Sequence, residues 1–450
     1  MEYARHDSTM YASLNTPARP TDLRGILDPV ITEKKLEMLY CQLAEILLKF
    51  SMSSFSRIRS LQQKDESTWE VAYRPLTLNM EQMVVMGTLP PAYLPDPDAT
   101  FATPVSYLES VAEYFVQQLN HQRNDAIESA DDCRRKFVAR RLFQRLAREK
   151  RLTNPSLNNG PFKLWCDDLR PANVIMDQED HIVGVLDWEF SYAAPVEFTY
   201  APPWWLLIEK PEYWAEGLDD WTKVYERRLN TFLRGMIKCE DAAIERGEMS
   251  HAERLSGPMK GSWESGDFWI MYAASYSFAF DAIYWQKIDP RFFGPTNDPE
   301  NAWKERLVLL SDDDRAEKEK LVARKLGEMS DRELAWDCDE YTRFLSDAMK
   351  NAHECKASDA TNGPSEHSLD SVHSTAIFQG VLDFAAKKKK AAAGNTGITG
   401  AQEEVNMERP QAMEGEIEDV PITNVGMKDV EGGSETRVLS DKLGECKLVA

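Results

Sequence analysis

Residues 165–177 read WCDDLRPANVIMD, and residues 185–190 read VLDWEF. The first stretch sets two acids side by side, Asp167 and Asp168, and then an amide at Asn173. The second ends an apolar run on a lone acid, Asp187. Phe162, Leu164 and Val174–Met176 read as short strands. Ile182–Leu186 is apolar, and Gln178-Glu179-Asp180 between them supplies turn residues. The pattern predicts an antiparallel hairpin, in which the start of one strand lies beside the end of the other. Asn173 and Asp187 are thereby expected to face one pocket, with Asp168 above it from the preceding loop.

That combination has a chemical reading. An amide oxygen and a carboxylate at one point make a hard-oxygen site suited to Mg²⁺, which keeps its other positions for water and phosphate. A further carboxylate, not consumed by the metal, can orient a hydroxyl and accept its proton. The D-x-x-x-x-N spacing from Asp168 to Asn173, followed by an acid at the end of the next strand, is the arrangement of protein-kinase catalytic loops. Pro171 stiffens the loop between them. Arg170 is a candidate phosphate contact, with pairing to a nearby acid an equal alternative. An Asp-rich loop alone is usually a solvated turn; agreement of residue type, spacing and hairpin argues for the pocket. Asp167 is read as a solvated or loop-capping neighbour, and Glu189 as one half of a surface ion pair.

Outward from this centre the chain is mainly helical. Thr32 begins a pattern with Leu36, Leu39, Tyr40, Leu43, Ile46, Leu47 and Phe50 on one face. Residues 51–104 are rich in turns and proline. Ser106 and Glu109 have the spacing of a capping box, and Ser129 caps a long basic helix through Phe137, Leu142, Phe143 and Leu146. Its Arg134, Arg135, Lys136, Arg140 and Arg141 are expected on an exposed face that meets acids elsewhere. Beyond Pro203, one helix carries Trp221, Val224, Tyr225, Leu229, Phe232 and Leu233. Another is expected from about Trp263 to Ile288, buried on most sides. PPWW (202–205), with Trp188, Tyr192 and Tyr200, has two readings, a cation–π pocket or core beneath the loop, and core is the commoner. From about Ala357 the composition turns to Ser, Gly, Glu, Lys and Asn, which predicts a disordered tail over 356–450. Lys387–Lys390 within it reads as a solvated run.

Composition narrows the classes. With 53 basic and 75 acidic residues, the net charge is −22, so the surface repels phosphate backbones and nucleic acid is not an expected partner. Seven scattered cysteines without a C-x-x-C pair argue against a disulfide framework or zinc site. No signal core and no apolar run of about 18 residues occurs, so a soluble, cytoplasmic chain without membrane contact is expected.

The stretch from Lys163 to Trp205, with FKLWCDDLRPANVIMD, IVGVLDWEF and APVEFTYAPPWWLL, resembles the aminoglycoside phosphotransferase and choline-kinase-like family, most closely its fungal branch. RPLTLNM and CRRKFVARRLF extend the similarity more weakly. The resemblance implies the helical C-terminal lobe of a protein-kinase-like fold (α+β) over residues 1–355, with its catalytic loop and metal hairpin at 163–190. It implies ATP- or GTP-dependent phosphorylation of a small-molecule hydroxyl, with Asp168 as base, Arg170 beside it, and Mg²⁺ on Asn173 and Asp187. The acidic surface suits a cationic substrate.

Two departures from the family matter. Its catalytic loop usually begins His-Gly-Asp, whereas this chain has Cys166-Asp167-Asp168. A kinase-like enzyme also needs a small lobe whose glycine loop covers the phosphates and whose lysine pairs with them. Before Gly160 only Gly25 and Gly87 occur, and MEYARHD (1–7) resembles the hinge between lobes. Three explanations stay open: a truncated gene model, a non-catalytic binding module, or an enzyme whose nucleotide site a second polypeptide completes.

Overall fold

The hairpin around Asn173 forms as expected, and a second sheet forms beside it. The computed structural model describes residues 6–329, apart from 21–22, 64–68 and 124, together with 333–340, 342–343 and 347. The expected tail, Lys387–Lys390 and the first five residues of the hinge-like start lie outside the described residues.

The strands are short: β1 (Ser8–Thr9), β2 (Ser54–Phe55), β3 (Arg59–Gln63), β4 (Trp69–Val71), β5 (Phe162–Cys166), β6 (Val174–Met176), β7 (Ile182–Val185) and β8 (Ser191–Ala194). Helices make up more of the chain. Before the hairpin lie α1 (Met10–Leu14), α2 (Glu33–Ser51), α3 (Leu78–Val85), α4 (Pro104–His121) and α5 (Ala130–Arg148). After it come α6 (Val196–Tyr200), α7 (Leu218–Glu245), α8 (Ser256–Ser265) and α9 (Asp267–Ser275). The last are α10 (Phe280–Ile283), α11 (Asp289–Phe293), α12 (Ala302–Arg306) and α13 (Asp312–Glu328). The architecture is mainly α with small antiparallel sheets, in the strand orders β1-β6-β7 and β2-β5-β8-β3-β4. No helix among the described residues is long and apolar enough to cross a membrane.

The expected face of α2 is the buried one: Leu36, Leu39, Tyr40, Leu43, Ile46, Leu47 and Phe50 all lie in the core, and Thr32 caps the helix by accepting from the Lys35 N–H. This face packs on α7, where Trp221, Tyr225, Leu229 and Phe232 are buried. Ser129 caps α5 as read. The basic face of α5 meets the acids of α13, through Arg134–Glu319 at 2.9 Å and Arg141–Glu317 at 2.5 Å. Arg140 departs from that reading: it is buried, paired with Asp281 at 2.7 Å and donating to the Phe115 carbonyl.

Three further expectations are corrected. Helix α4 starts at Pro104 with Thr103 as its cap, not at a box built on Ser106 and Glu109. The Thr103 hydroxyl accepts the Ser106 N–H at 3.1 Å, and proline at the first helical position gives up only an N–H that has no partner there anyway. The turn-rich 51–104 stretch holds β2, β3, β4 and α3, elements too short to show a period. The long aromatic helix expected over 263–288 is broken, because Gly266 takes φ +82° between α8 and α9 and Tyr276 leaves the helical region after α9. Trp269, Tyr272, Phe280, Tyr284 and Trp285 are nevertheless core, as expected, while Trp263 and Tyr276 are half-buried and Phe278 is exposed.

Candidate active site

Strand β5 delivers the loop and the β6–β7 hairpin completes it. Val174 pairs with Val185 and Ile175 with Gly184, and beyond the ladder the Leu186 N–H donates to the Asn173 carbonyl at 2.8 Å. Asp187, one residue further, therefore lies beside Asn173 along the backbone. The turn is closed by Asp177, whose carboxylate accepts the N–H groups of Glu179 and His181, both at 2.9 Å. Helix α2 clamps this turn from outside. The Gln42 amide donates to the Asp180 carbonyl and accepts the Ile182 N–H, each at 2.8 Å, and Lys35 pairs with Asp180 at 2.9 Å. At the other edge, β1 pairs with β6, Ser8 opposite Met176 and Thr9 opposite Ile175.

Three of the four residues singled out in the sequence meet. The Asn173 amide nitrogen donates to the Asp168 carboxylate at 2.8 Å and to the Asp168 carbonyl at 2.9 Å. The Arg170 guanidinium donates to the other Asp168 oxygen at 2.8 Å. Arg170 is extended before Pro171, as residues preceding proline prefer, and a single 3-10 turn over Pro171–Asn173 sets the amide under the carboxylate. The Asn173 amide oxygen accepts nothing among the described residues. Asp187 is exposed, and its carboxylate makes no hydrogen bond or ion pair there. Its φ of +60° is unusual for a residue with a side chain, and aspartate is one of the few that tolerate it. Glu189 is exposed and makes no ion pair among the described residues, contrary to expectation.

Cys166 stands where the resemblance leads one to expect histidine. Its thiol is buried and lies 3.8 Å from the Asp187 carbonyl, so it joins the loop to the far end of the hairpin. Burial pushes that thiol up to about 12, which keeps it protonated and able to donate.

Of the two readings of Asp167, solvated neighbour or loop cap, the structure shows a cap. One oxygen accepts the Trp165 indole N–H at 2.8 Å and the Tyr192 hydroxyl at 3.1 Å; the other caps α3 by accepting the Leu78 N–H at 3.1 Å. Burial raises its carboxyl to about 6 against these hydrogen bonds, which oppose the shift. It lines a cavity of about 60 Å³ with Cys166, Leu169, Trp204, Tyr272 and Tyr276. Pro202, Pro203 and Trp205 also line it, so the PPWW segment is at once packing and pocket wall. Tyr192 is core, and Trp188 packs on Phe50. Gln42 escaped the sequence reading because its part depends on partners far away in the chain.

Residues 19–229 match the family described as "Phosphotransferase enzyme family", a span that contains the loop, the hairpin and α2. Over that span, a little under half of the chain, the sequence is similar to the phosphotransferase enzyme family. A 60-residue stretch is 44 % identical to "Clavilactone A biosynthesis cluster protein Y" of Ampulloclitocybe clavipes. That match covers 13 % of this chain and 14 % of the relative, well short of the relative's length. No solved structure matches the chain. The match supports phosphoryl transfer of the kinase-like kind.

Proposed function

We propose that this phosphotransferase moves the γ-phosphoryl group of ATP or GTP to the hydroxyl of a small molecule. The observation that carries the reading is the Asp168 carboxylate, oriented by Asn173 and Arg170 at 2.8 Å each. Beside it, the Asn173 amide oxygen and the Asp187 carboxylate have no partners among the described residues. Both are hard oxygen donors and fit Mg²⁺, which would there neutralise charge on the transferring phosphate. Asp168 orients the acceptor and takes its proton as the new P–O bond forms; the bond from the γ-phosphorus to the bridging oxygen breaks and the nucleoside diphosphate leaves. Arg170 holds the base and offers its remaining donors to a phosphate oxygen. Cys166 and Gln42 act through positioning alone.

A second reading, a module that binds without catalysis, draws on one specific observation. Among the described residues no strand carries a glycine-rich loop or a lysine paired with a helix glutamate. A coupled assay of nucleoside diphosphate release separates the two, using the full chain with Mg·ATP and a panel of small hydroxyl compounds. Turnover that falls by about 100-fold or more in Asp168→Asn is expected for an enzyme whose base is Asp168. Release that is absent, or equal in the variant, favours the binding module.

A further inference from the structure

The 3-10 turn over Trp204–Leu207 ends at Ile208, whose φ of +67° and ψ of −53° close a γ-turn of the strained hand, with the Glu209 N–H donating to the Leu207 carbonyl at 2.8 Å. A β-branched residue is rarely held there. The turn sends Glu209 into the protein, 6 % exposed, and sets the Lys210 side chain against two rings of the cavity wall. The Lys210 ammonium lies 4.2 Å from the centroid of the Tyr276 ring and 5.5 Å from that of Trp204, two rings that line the cavity together with Cys166, Asp167 and Leu169.

The carboxylates around it all have donors. Asp168 takes Arg170. Glu209 takes the Lys210 backbone N–H at 2.9 Å and has Arg24 at 3.8 Å. Glu212 takes the Tyr272 hydroxyl at 2.6 Å, and Asp167 takes Trp165, Tyr192 and Leu78. The Lys210 ammonium, by contrast, makes no hydrogen bond and has no carboxylate within 4.0 Å among the described residues. Aromatic faces answer its charge but not its three N–H directions. Burial pulls it below the ordinary lysine value, and Glu212 opposes that shift. An oxyanion beside the ammonium would satisfy it, and the neighbouring cations are Arg24 and Arg170, the latter paired with Asp168 at 2.8 Å.

We propose that Lys210 selects the acceptor by binding an anionic group on it, so that the hydroxyl offered to Asp168 belongs to a small hydroxy acid. The whole-molecule charge of −22 points to a cationic acceptor; the local unpaired donor points the other way, and it is local charge that an acceptor meets. The inference rests on the phosphoryl-transfer reading for the fate of the hydroxyl, though not for the charge preference.

The test uses three matched probes, each with one primary hydroxyl: glycolate, glycolamide and ethanolamine. Binding to the full chain without nucleotide is measured by saturation-transfer NMR for wild type, Lys210→Met and Lys210→Arg, with thermal melting to confirm that each variant is folded. Glycolate is expected to bind best, to weaken by about tenfold or more in Lys210→Met, and to be largely restored in Lys210→Arg, while ethanolamine binding does not fall. A preference for ethanolamine, a glycolate preference that survives in Lys210→Met, or no binding of glycolate overturns the proposal. A second arm adds Mg·ATP. Charge preference without turnover overturns phosphoryl transfer and leaves the role of Lys210 standing; turnover of ethanolamine with glycolate inert does the reverse.

Discussion

Asp167 and Asp168 are adjacent in the chain and have opposite surroundings. Asp168 faces an amide and a guanidinium at the mouth of the site, while Asp167 is walled by Trp165, Tyr192 and the first turn of α3. The spacing to Asn173 made Asp168 legible in the sequence. Nothing local marked Asp167, because Tyr192 and Leu78 reach it from elsewhere in the chain. A consequence follows for pH dependence. The folded carboxyl titrates near 6, above its unfolded value of about 3.9, so the native state binds this proton more readily than the unfolded chain. Its contribution to stability therefore rises as pH falls from 7 towards 4, the reverse of a salt-bridged acid, by on the order of 1–3 kcal/mol. Melting wild type and Asp167→Asn across that range checks the sign. The difference should shift in favour of wild type at low pH, and a difference that is flat or moves the other way refutes the assignment.

At the scale of elements, helix faces were readable and short strands were not. The periods of α2, α5 and α7 span several turns and announce themselves. β2, β3 and β4 run for two to five residues, and the pairing of β2 with β5 and of β3 with β8 is a tertiary fact. The hairpin was legible because apolar runs flank turn residues. What holds it was not: Gln42 lies on α2 far from the hairpin in sequence, yet its side-chain amide makes both hydrogen bonds to residues 180 and 182. Gln42→Leu removes both and leaves a part-buried N–H and carbonyl without partners, a loss of about 1–3 kcal/mol. The expected result is a lower melting temperature together with weaker Mg²⁺-dependent turnover, since Asp187 ends the clamped strand. Unchanged turnover in a destabilised variant would show that the clamp serves stability alone.

Over the whole molecule, the similarity to the phosphotransferase family was legible from the stretch 163–205, because the chemistry confines residue type and spacing there, and the mainly helical class from the helix periods. The acceptor charge proposed from Lys210 was not, since an overall net charge says little about one half-buried donor. The account stands on Asn173 and Asp187 holding Mg²⁺ beside Asp168. Calorimetry of Mg·ATP on the full chain, beside Asp187→Asn, addresses that claim most directly, because asparagine tolerates the same positive φ and the exposed Asp187 carboxylate has no partner among the described residues whose loss would unfold the variant. Micromolar binding by wild type, weakened at least about tenfold in Asp187→Asn at unchanged melting temperature, is the predicted result. Equal binding by the two proteins, or none by wild type, would contradict it.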